Sequence, residues 1–258
     1  MIDLHTHILP GVDDGSPALE ESVAMARMAA GDGATDVVAS PHADLSHSFD
    51  VDLVERRIAE LREACGEVVR IHYGCDFHLY FDNVQDALRH PDKYTVNHRR
   101  YLLVELSELL ALKSTGEALA RVLEAGIVPV ITHPERNTLL RRRIDVLEQW
   151  VRQGCLLQLT AQSLTGGFGG KARAASEAIL RRGLAHFVAS DAHDTLRRPP
   201  CLGEAYALVE GVYGRSLAQR LFEENPGAVL RGDLLAPVSG PEPPRRRQWW
   251  RFWKAEGQ

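Results

Sequence analysis

The sequence predicts a single α/β domain built as a seven-stranded (β/α) barrel. Three observations carry the prediction. Seven short apolar runs alternate with helical segments along the chain. Their interiors are Val, Ile and Leu without polar alternation, as expected of parallel strands covered on both faces. Six of the runs end in metal-ligand residues: Ile2-Asp-Leu-His5-Thr-His7, Val37-Val-Ala-Ser-Pro-His42, Ile71-His-Tyr-Gly-Cys-Asp76, Leu102-Leu-Val-Glu105, Val128-Pro-Val-Ile-Thr-His133 and Phe187-Val-Ala-Ser-Asp191-Ala-His193. The C-terminal ends of barrel strands carry the chemistry, whereas an open doubly wound sheet gathers its site at one switch point. Ligand-type residues on strands one to five and seven favour the barrel.

The first strand covers about Ile2 to Leu4, followed by the loop Pro10-Gly-Val-Asp-Asp-Gly15. Ser16-Pro17 reads as an N-cap with Pro at the first helical position. The helix to about Ala30 sets Leu19, Val23, Ala26 and Ala30 on one face. Strand two is Asp36 to Ala39. Asp50 is placed to cap a helix with Val51, Val54, Ile58 and Leu61 at helical spacing. Strands three and four are Val68 to Gly74 and Tyr101 to Leu106. Ser114-Thr-Gly-Glu117 resembles a capping box for a helix through Glu124. Strand five is Ile127 to Thr132, and a helix from Ile144 to Arg152 leads to strand six, Cys155 to Leu159. A helix from about Lys171 to Arg182 leads to strand seven, His186 to Ser190. Helices from Leu202 and Ser216 close the body. The barrel is expected over residues 1–234, with a Pro-rich linker and a basic, Trp-rich tail over 235–258.

At 258 residues, 45% hydrophobic and 25% charged, the chain has the size and composition of one globular barrel domain. A formal charge of −5 argues against a dedicated nucleic-acid binder. Without the segment from Pro241 the balance is 25 basic to 33 acidic residues, which suits a carboxylate-rich cation site or plain solvation. Cys65, Cys75, Cys155 and Cys201 lack CxxC spacing, so reduced thiols in a cytoplasmic protein are expected rather than a disulfide framework. Met1 leads directly into the first strand, so a signal peptide is not expected, and no apolar run is long enough for a bilayer.

Two His one residue apart at a strand end can aim at one cation if the strand twists there. Simple alternation, one buried and one solvated, is the alternative for His5 and His7. Asp13-Asp14 lies in a glycine-flanked loop a few residues on, where turn chemistry is the ordinary explanation. His42 follows Pro41, which fixes the backbone leaving the strand. Asp76 and Glu105 each close an apolar strand, where an unpaired carboxylate is costly to bury; a cation or an Arg partner would compensate. His133 precedes Pro134-Glu-Arg136, and Asp191 and His193 repeat the spacing of the first pair. His72, His78, His90, His98 and His186 carry little weight. The candidate set is five His with three or four carboxylates and no Cys. Such N/O ligands suit Mn, Fe or Zn, and their number exceeds what one ion needs, so two or three are implied. Arg136 and Arg197/Arg198 beside the ligand segments point to a phosphate substrate, whose oxygens match the guanidinium fork, or are surface arginines.

His5-Thr-His7, Val12-Asp-Asp-Gly15, Ser40-Pro-His42, Val104-Glu-Leu-Ser107, Thr132-His-Pro-Glu-Arg-Asn137 and Ala189-Ser-Asp-Ala-His193 resemble the polymerase-and-histidinol-phosphatase (PHP) superfamily. Within it they resemble the bacterial metal-dependent protein-tyrosine phosphatases of capsule and exopolysaccharide operons. The resemblance runs from Met1 to about Leu230 and includes Leu164-Thr-Gly-Gly-Phe-Gly-Gly170 and Arg198-Pro-Pro200. It implies a distorted seven-stranded barrel and a centre of divalent ions, manganese first with iron or zinc as alternatives. It implies hydrolysis of phosphotyrosine, by metal-hydroxide attack on phosphorus, on the tail of a tyrosine autokinase controlling polysaccharide export. Carried over residue by residue, it implies His5, His7 and Asp191 on one ion. Asp76 would bridge to a second, shared with Glu105 and His133, while Asp14, His42 and His193 hold a third. Arg136 and Arg198 would contact the phosphate. Two departures stand out. The bridging position is commonly Glu in relatives and is Asp76 here, which bears on metal spacing and preference. The basic segment after the His42 equivalent is replaced by Ala43-Asp-Leu-Ser.

Other readings are a PHP-type phosphoesterase acting on a small phosphate such as histidinol phosphate, an amidohydrolase-type deacetylase, or a non-catalytic regulatory domain. The deacetylase family commonly places a carbamylated Lys where this chain has Glu105, and the full ligand set argues against the regulatory domain. In the tail, Arg245-Arg-Arg-Gln-Trp-Trp-Arg-Phe-Trp-Lys254 interleaves basic residues with Trp, a pattern of membrane-interface binding, here at the inner face of the plasma membrane. A partner-docking tail is the alternative.

Overall fold

The computed structural model describes residues 1–109 and 111–235. Strands and helices alternate: β1 (Ile2–Thr6), α1 (Leu19–Gly31), β2 (Asp36–Ala39), β3 (His42–Ala43), α2 (Val51–Cys65), β4 (Arg70–Tyr73), β5 (Asp76–His78) and α3 (Phe81–Arg89). There follow β6 (Tyr101–Glu105), α4 (Leu112–Glu124), β7 (Val128–Thr132), α5 (Ile144–Gln153), β8 (Leu156–Thr160), α6 (Ala161–Thr165) and α7 (Gly169–Arg181). Then come β9 (Phe187–Ala189), α8 (Gly203–Tyr213), α9 (Arg215–Gln219), a π-helical turn (Arg220–Glu224) and α10 (Asn225–Arg231). From residue 236 onward, the expected linker and tail lie outside the described residues.

The strands are all parallel, but they form two sheets, β1-β2-β4 and β3-β5-β6-β7-β8-β9, rather than one closed barrel sheet. β2 spans the expected second strand and β4 lies within the third, but each is followed by an unexpected short strand, β3 and β5, so nine strands stand among the described residues where seven were predicted. Ser40-Pro41 separates β2 from β3, and Pro41 has no N–H for a ladder. Gly74-Cys75 separates β4 from β5; a Cβ at Gly74 would lie 2.5 Å from Val38 Cγ1, so β2 and β4 approach closely only because this residue is glycine. Beyond these breaks β3 and β5 join the second sheet. On the other side a single bridge, Thr6 to Ala192, links the chain after β9 to β1, with His7 N–H donating to Ala192 O at 2.8 Å and Asp191 N–H to His5 O at 2.9 Å.

Both faces of the strands are covered, as their apolar sequences require. Leu4, Val38, Leu103, Val130, Phe187 and Ala189 come from five strands of both sheets and pack in one cluster with Val96, Tyr101 and Val229. α1 and α2 cover Val37, Ala39, Ile71 and Tyr73 on the other face. The buried face of α1 is Ser22, Met25, Ala26 and Ala29; of the predicted Leu19, Val23, Ala26 and Ala30, Ala26 is fully buried and the other three pack partly buried at its edge. Its small side chains allow close packing against neighbouring elements. α1 also starts later than Ser16-Pro17 suggested. Ser16 is buried, its Oγ donating to Ala18 O (2.9 Å) and accepting from Ser22 Oγ (2.8 Å), so it caps nothing. The capping box at Ser114 fails likewise: α4 has already begun at Leu112, and Ser114 Oγ donates to Ala111 O at 3.1 Å. Asp50 does cap α2, accepting Leu53 N–H at 3.1 Å.

His186 enters β9 buried, and its Nδ1 accepts the Leu157 N–H at 3.1 Å. Burial, helped by the Arg220 charge, pushes its pKa down to about 4. Its folded value lies below its unfolded one, so its contribution is full above about pH 6.5 and is lost as pH falls through about 4. His186→Asn keeps an acceptor without a titrating ring. Denaturant unfolding of chelator-treated protein is expected to show the wild type losing about 3 kcal/mol more than this variant between those two pH values.

Candidate metal centre and active site

The polar residues that end the apolar strands converge. His5 in β1 and His7 just past its end, two residues apart and so on the same face, are both buried and bring their Nε2 atoms within 3.1 Å of each other. His5 Nε2 lies 3.6 Å from Asp76 Oδ2 and 3.4 Å from Asp191 Oδ1, and His7 Nε2 is also 3.4 Å from Asp191 Oδ1. His42 reaches Asp14 with Nε2 (3.3 Å) and Asp76 with Nδ1 (3.1 Å). His193 Nε2 is 3.4 Å from the same Asp14 oxygen, and His133 Nε2 is 3.8 Å from Glu105 Oε1. Four overlapping sets of candidate ligand atoms result, each within 4.8 Å: His7/Asp14/His42/His193, His42/Asp76/His78/Glu105, His5/His7/Asp76 and His5/His133/Asp191. All nine residues singled out in the sequence take part.

The donor set fits cations on an internal test. Both oxygens of Asp76, Glu105 Oε2, His42 Nδ1 and His78 Nε2 are buried without a properly formed hydrogen bond. Such atoms are costly unless something positive meets them. Protonated imidazoles carry part of that charge. Burial opposes it, yet Asp14, Asp76 and Glu105 lift His42 to about 11, and Asp13 lifts His7 to about 9. Asp191 stays well below the ordinary carboxylate range despite its burial, held there by His5, His7, His133 and Arg198. Glu105 is pushed up by burial and by the Asp76 charge beside it. Burial and Arg136 push His133 down to about 3, which keeps its imidazole neutral, the form that ligates a metal. His133 (φ 34°) and Asp191 (φ 54°) sit in the left-handed region that side chains other than glycine avoid. Backbone strain of this kind gathers at functional sites.

Arg136 and Arg198 both bond Asp191 Oδ2. They therefore reach the centre from the loops after β7 and β9.

Three contributors lie outside the nine candidate ligands: His78, given little weight in the sequence, Asp13, read as turn chemistry, and Gln158, which was not singled out. His78 lies 2.5 Å from Glu105 Oε2. Its signal was available, since Asp76-x-His78 repeats the spacing of His5-x-His7 and Asp191-x-His193. Asp13 is buried while Asp14 is largely exposed. Asp13 accepts from His7 Nδ1 (2.6 Å) and from the N–H groups of Gly15 (3.0 Å) and His42 (3.0 Å), which orients two candidate ligands at once. Those bonds outweigh burial and bring its carboxyl down to about 2. A Cβ on Gly15 would stand 2.1 Å from His7 O, so only glycine lets this loop fold over His7. Gln158 on β8 holds His5 Nδ1 at 3.1 Å.

Asp13→Ala removes the group that fixes the His7 ring while leaving every candidate ligand in place. Metal affinity, measured by competition with a graded chelator, is expected to fall about 10- to 100-fold, the usual effect of losing such a partner. Unchanged affinity would show that Asp13 serves the loop alone.

Comparison with known proteins gives the chain its relatives. Residues 1–231 match the family model described as capsular polysaccharide synthesis, CpsB/CapC. The chain is 31% identical over 262 residues to the tyrosine-protein phosphatase YwqE of Bacillus subtilis (strain 168), covering 98% of this chain and 100% of that protein. It is 30% identical over 245 residues to the tyrosine-protein phosphatase CpsB of Streptococcus agalactiae, covering 91% and 100%. A solved chain from the crystal structures of YwqE from Bacillus subtilis and CpsB from Streptococcus pneumoniae, described as metal-dependent tyrosine phosphatases, superposes with a TM-score of 0.86 at 30% identity, covering 95% of this chain and 98% of that one. With a family model spanning nearly all of the described residues, this chain belongs to the CpsB/CapC family of capsular polysaccharide synthesis.

Proposed function

We propose that this protein is a metal-dependent protein-tyrosine phosphatase that hydrolyses phosphotyrosine on a partner protein of capsule or exopolysaccharide synthesis. The observation that carries the reading is the meeting of two arginine forks on Asp191, at the edge of a centre of ten His, Asp and Glu side chains. Near-full-length similarity to tyrosine-protein phosphatases supports the same reading. His5, His7 and Asp191 would hold one divalent ion, Asp76, Glu105 and His133 a second, and Asp14, His42 and His193 a third, with Asp76 bridging and manganese the preferred metal. When bound, such ions lower the pKa of water and offset phosphoryl charge. The seven strand positions read as a distorted barrel opened by the breaks at Pro41 and Gly74.

The chain's own residues divide the remaining work. His5, His7 and Asp76 are buried, whereas Asp14, His42 and Glu105 retain exposure and mark the open side for substrate. Arg136 and Arg198 supply in-plane N–H donors that match phosphoryl oxygens, competing with Asp191 for them. The cysteines do not suit a thiol mechanism. Burial raises Cys155 to about 12 and Cys75 well above its ordinary value, and none of the four is followed by Arg six positions later.

A phosphotyrosine peptide should be turned over in preference to histidinol phosphate. Chelator is expected to abolish that turnover, and a thiol alkylator to leave most of it; the reverse pattern would overturn the reading. Arg136→Lys or Arg198→Lys should cost at least about tenfold in activity with metal content intact, since each keeps charge but loses the fork.

The expected partner is the tail of a tyrosine autokinase, consistent with the family's role in capsule synthesis. Among the described residues no helix is long and apolar enough to cross a membrane. Residues 245–254 are proposed to hold the enzyme at the membrane surface, each basic residue gaining about 1 kcal/mol near anionic lipid. Truncation from Pro241 should abolish sedimentation with anionic vesicles and spare turnover of a soluble phosphopeptide. Equal sedimentation of both forms would dismiss the membrane role.

A further inference from the structure

β8 ends without a ligand-type side chain at the centre, yet the segment after it touches both arginine loops. Glu135, which precedes Arg136, accepts the Thr160 N–H at 3.0 Å. Gln162 Nε2 donates to the carbonyl of Arg197, which precedes Arg198, at 2.9 Å. The short helix α6 is thus tied to the loops after β7 and β9. Phe168 follows it, inside Gly166-Gly-Phe-Gly-Gly170. Its ring centre lies 4.3 Å from the Arg136 guanidinium carbon and 6.0 Å from that of Arg198. Gly166 (φ 96°) and Gly169 (φ 84°) bend the backbone on either side in a conformation other residues rarely adopt. A single aromatic ring therefore lies beside two guanidinium groups that share one carboxylate oxygen.

We propose that Phe168 is a positioning residue, whose ring aligns Arg136 and Arg198 for a phosphoryl group. The aromatic face attracts a cation. Stacking occupies the flat face of a guanidinium and leaves its edge N–H donors free in the plane where phosphate oxygens bind. The ring also keeps two like-charged groups close together in fixed orientations. An aliphatic side chain could fill the same space but has no such face. This assignment rests on the phosphatase reading for its consequence in catalysis, and on geometry alone for its consequence in phosphate binding.

The test compares metal-loaded full-length protein with Phe168→Tyr, Phe168→Leu and Phe168→Ala. Inorganic phosphate binding is followed by calorimetry, kcat and KM on a phosphotyrosine peptide, and bound metal by elemental analysis. The Leu and Ala variants are expected to weaken phosphate binding and lower kcat/KM by about tenfold with metal retained, and Tyr to stay within about threefold of wild type. A Leu variant as good as Tyr would overturn the proposal, because packing alone would then suffice. Metal loss in parallel with phosphate binding would also overturn it. Failure of the wild type to hydrolyse phosphotyrosine would sink the phosphatase reading, while a phosphate-binding deficit confined to Leu and Ala would still uphold the role of Phe168. A wild type that binds no phosphate would refute both.

Discussion

Negative charge buried at the ends of parallel strands is the constraint on which the rest of this molecule depends. Asp76 and Asp191 are fully buried and Glu105 mostly so. Carboxylates in such surroundings must be neutralised, protonated or paired. The imidazoles of His5, His7, His42 and His133 crowd round them, and Asp191 takes two guanidinium groups on one oxygen. Divalent cations would satisfy all of these groups together, and hard N/O donors are the set such cations prefer.

The scaffold serves that requirement at some local cost. His133 and Asp191 hold left-handed backbones of the sort that cost about 1 to 3 kcal/mol each. The loop over His7 closes only through Gly15, and the close approach of β2 to β4 needs Gly74. Asp13, Gln158 and the Glu135–Thr160 bond lie outside the nine candidate ligands, yet they fix rings and loops of the candidate site. Parallel strands with their ends on one side make this economical, because each strand contributes a side chain at its terminus without disturbing the apolar packing behind it.

The sequence made the strand ends legible because a His or carboxylate closing an apolar run has few ordinary explanations, and repetition removes most of them. It was less informative where the cue was short or local. β3 and β5 hold two and three residues, too few for any periodic signal. Ser114-x-x-Glu117 has the spacing of a capping box, but Leu112 packs on the core and draws the helix start forward past it. Ser16-Pro17 has the residue types of a helix start, but the Ser16 hydroxyl is buried against Ser22 instead. Asp13 and Asp14 are adjacent and chemically identical, and only the fold decides which turns inward. Phe168 meets Arg136 and Arg198 across about thirty residues of chain in each direction, so no window of sequence joins them.

The central claim is that the strand-end His, Asp and Glu side chains form one multi-ion centre. Anomalous diffraction from crystals of manganese-loaded protein tests it most directly. The account predicts two or three strong peaks, each ligated by residues among His5, His7, Asp14, His42, Asp76, Glu105, His133, Asp191 and His193, with Asp76 between two of them. Manganese bound elsewhere, or a saturated crystal with no peak among these side chains, would contradict it.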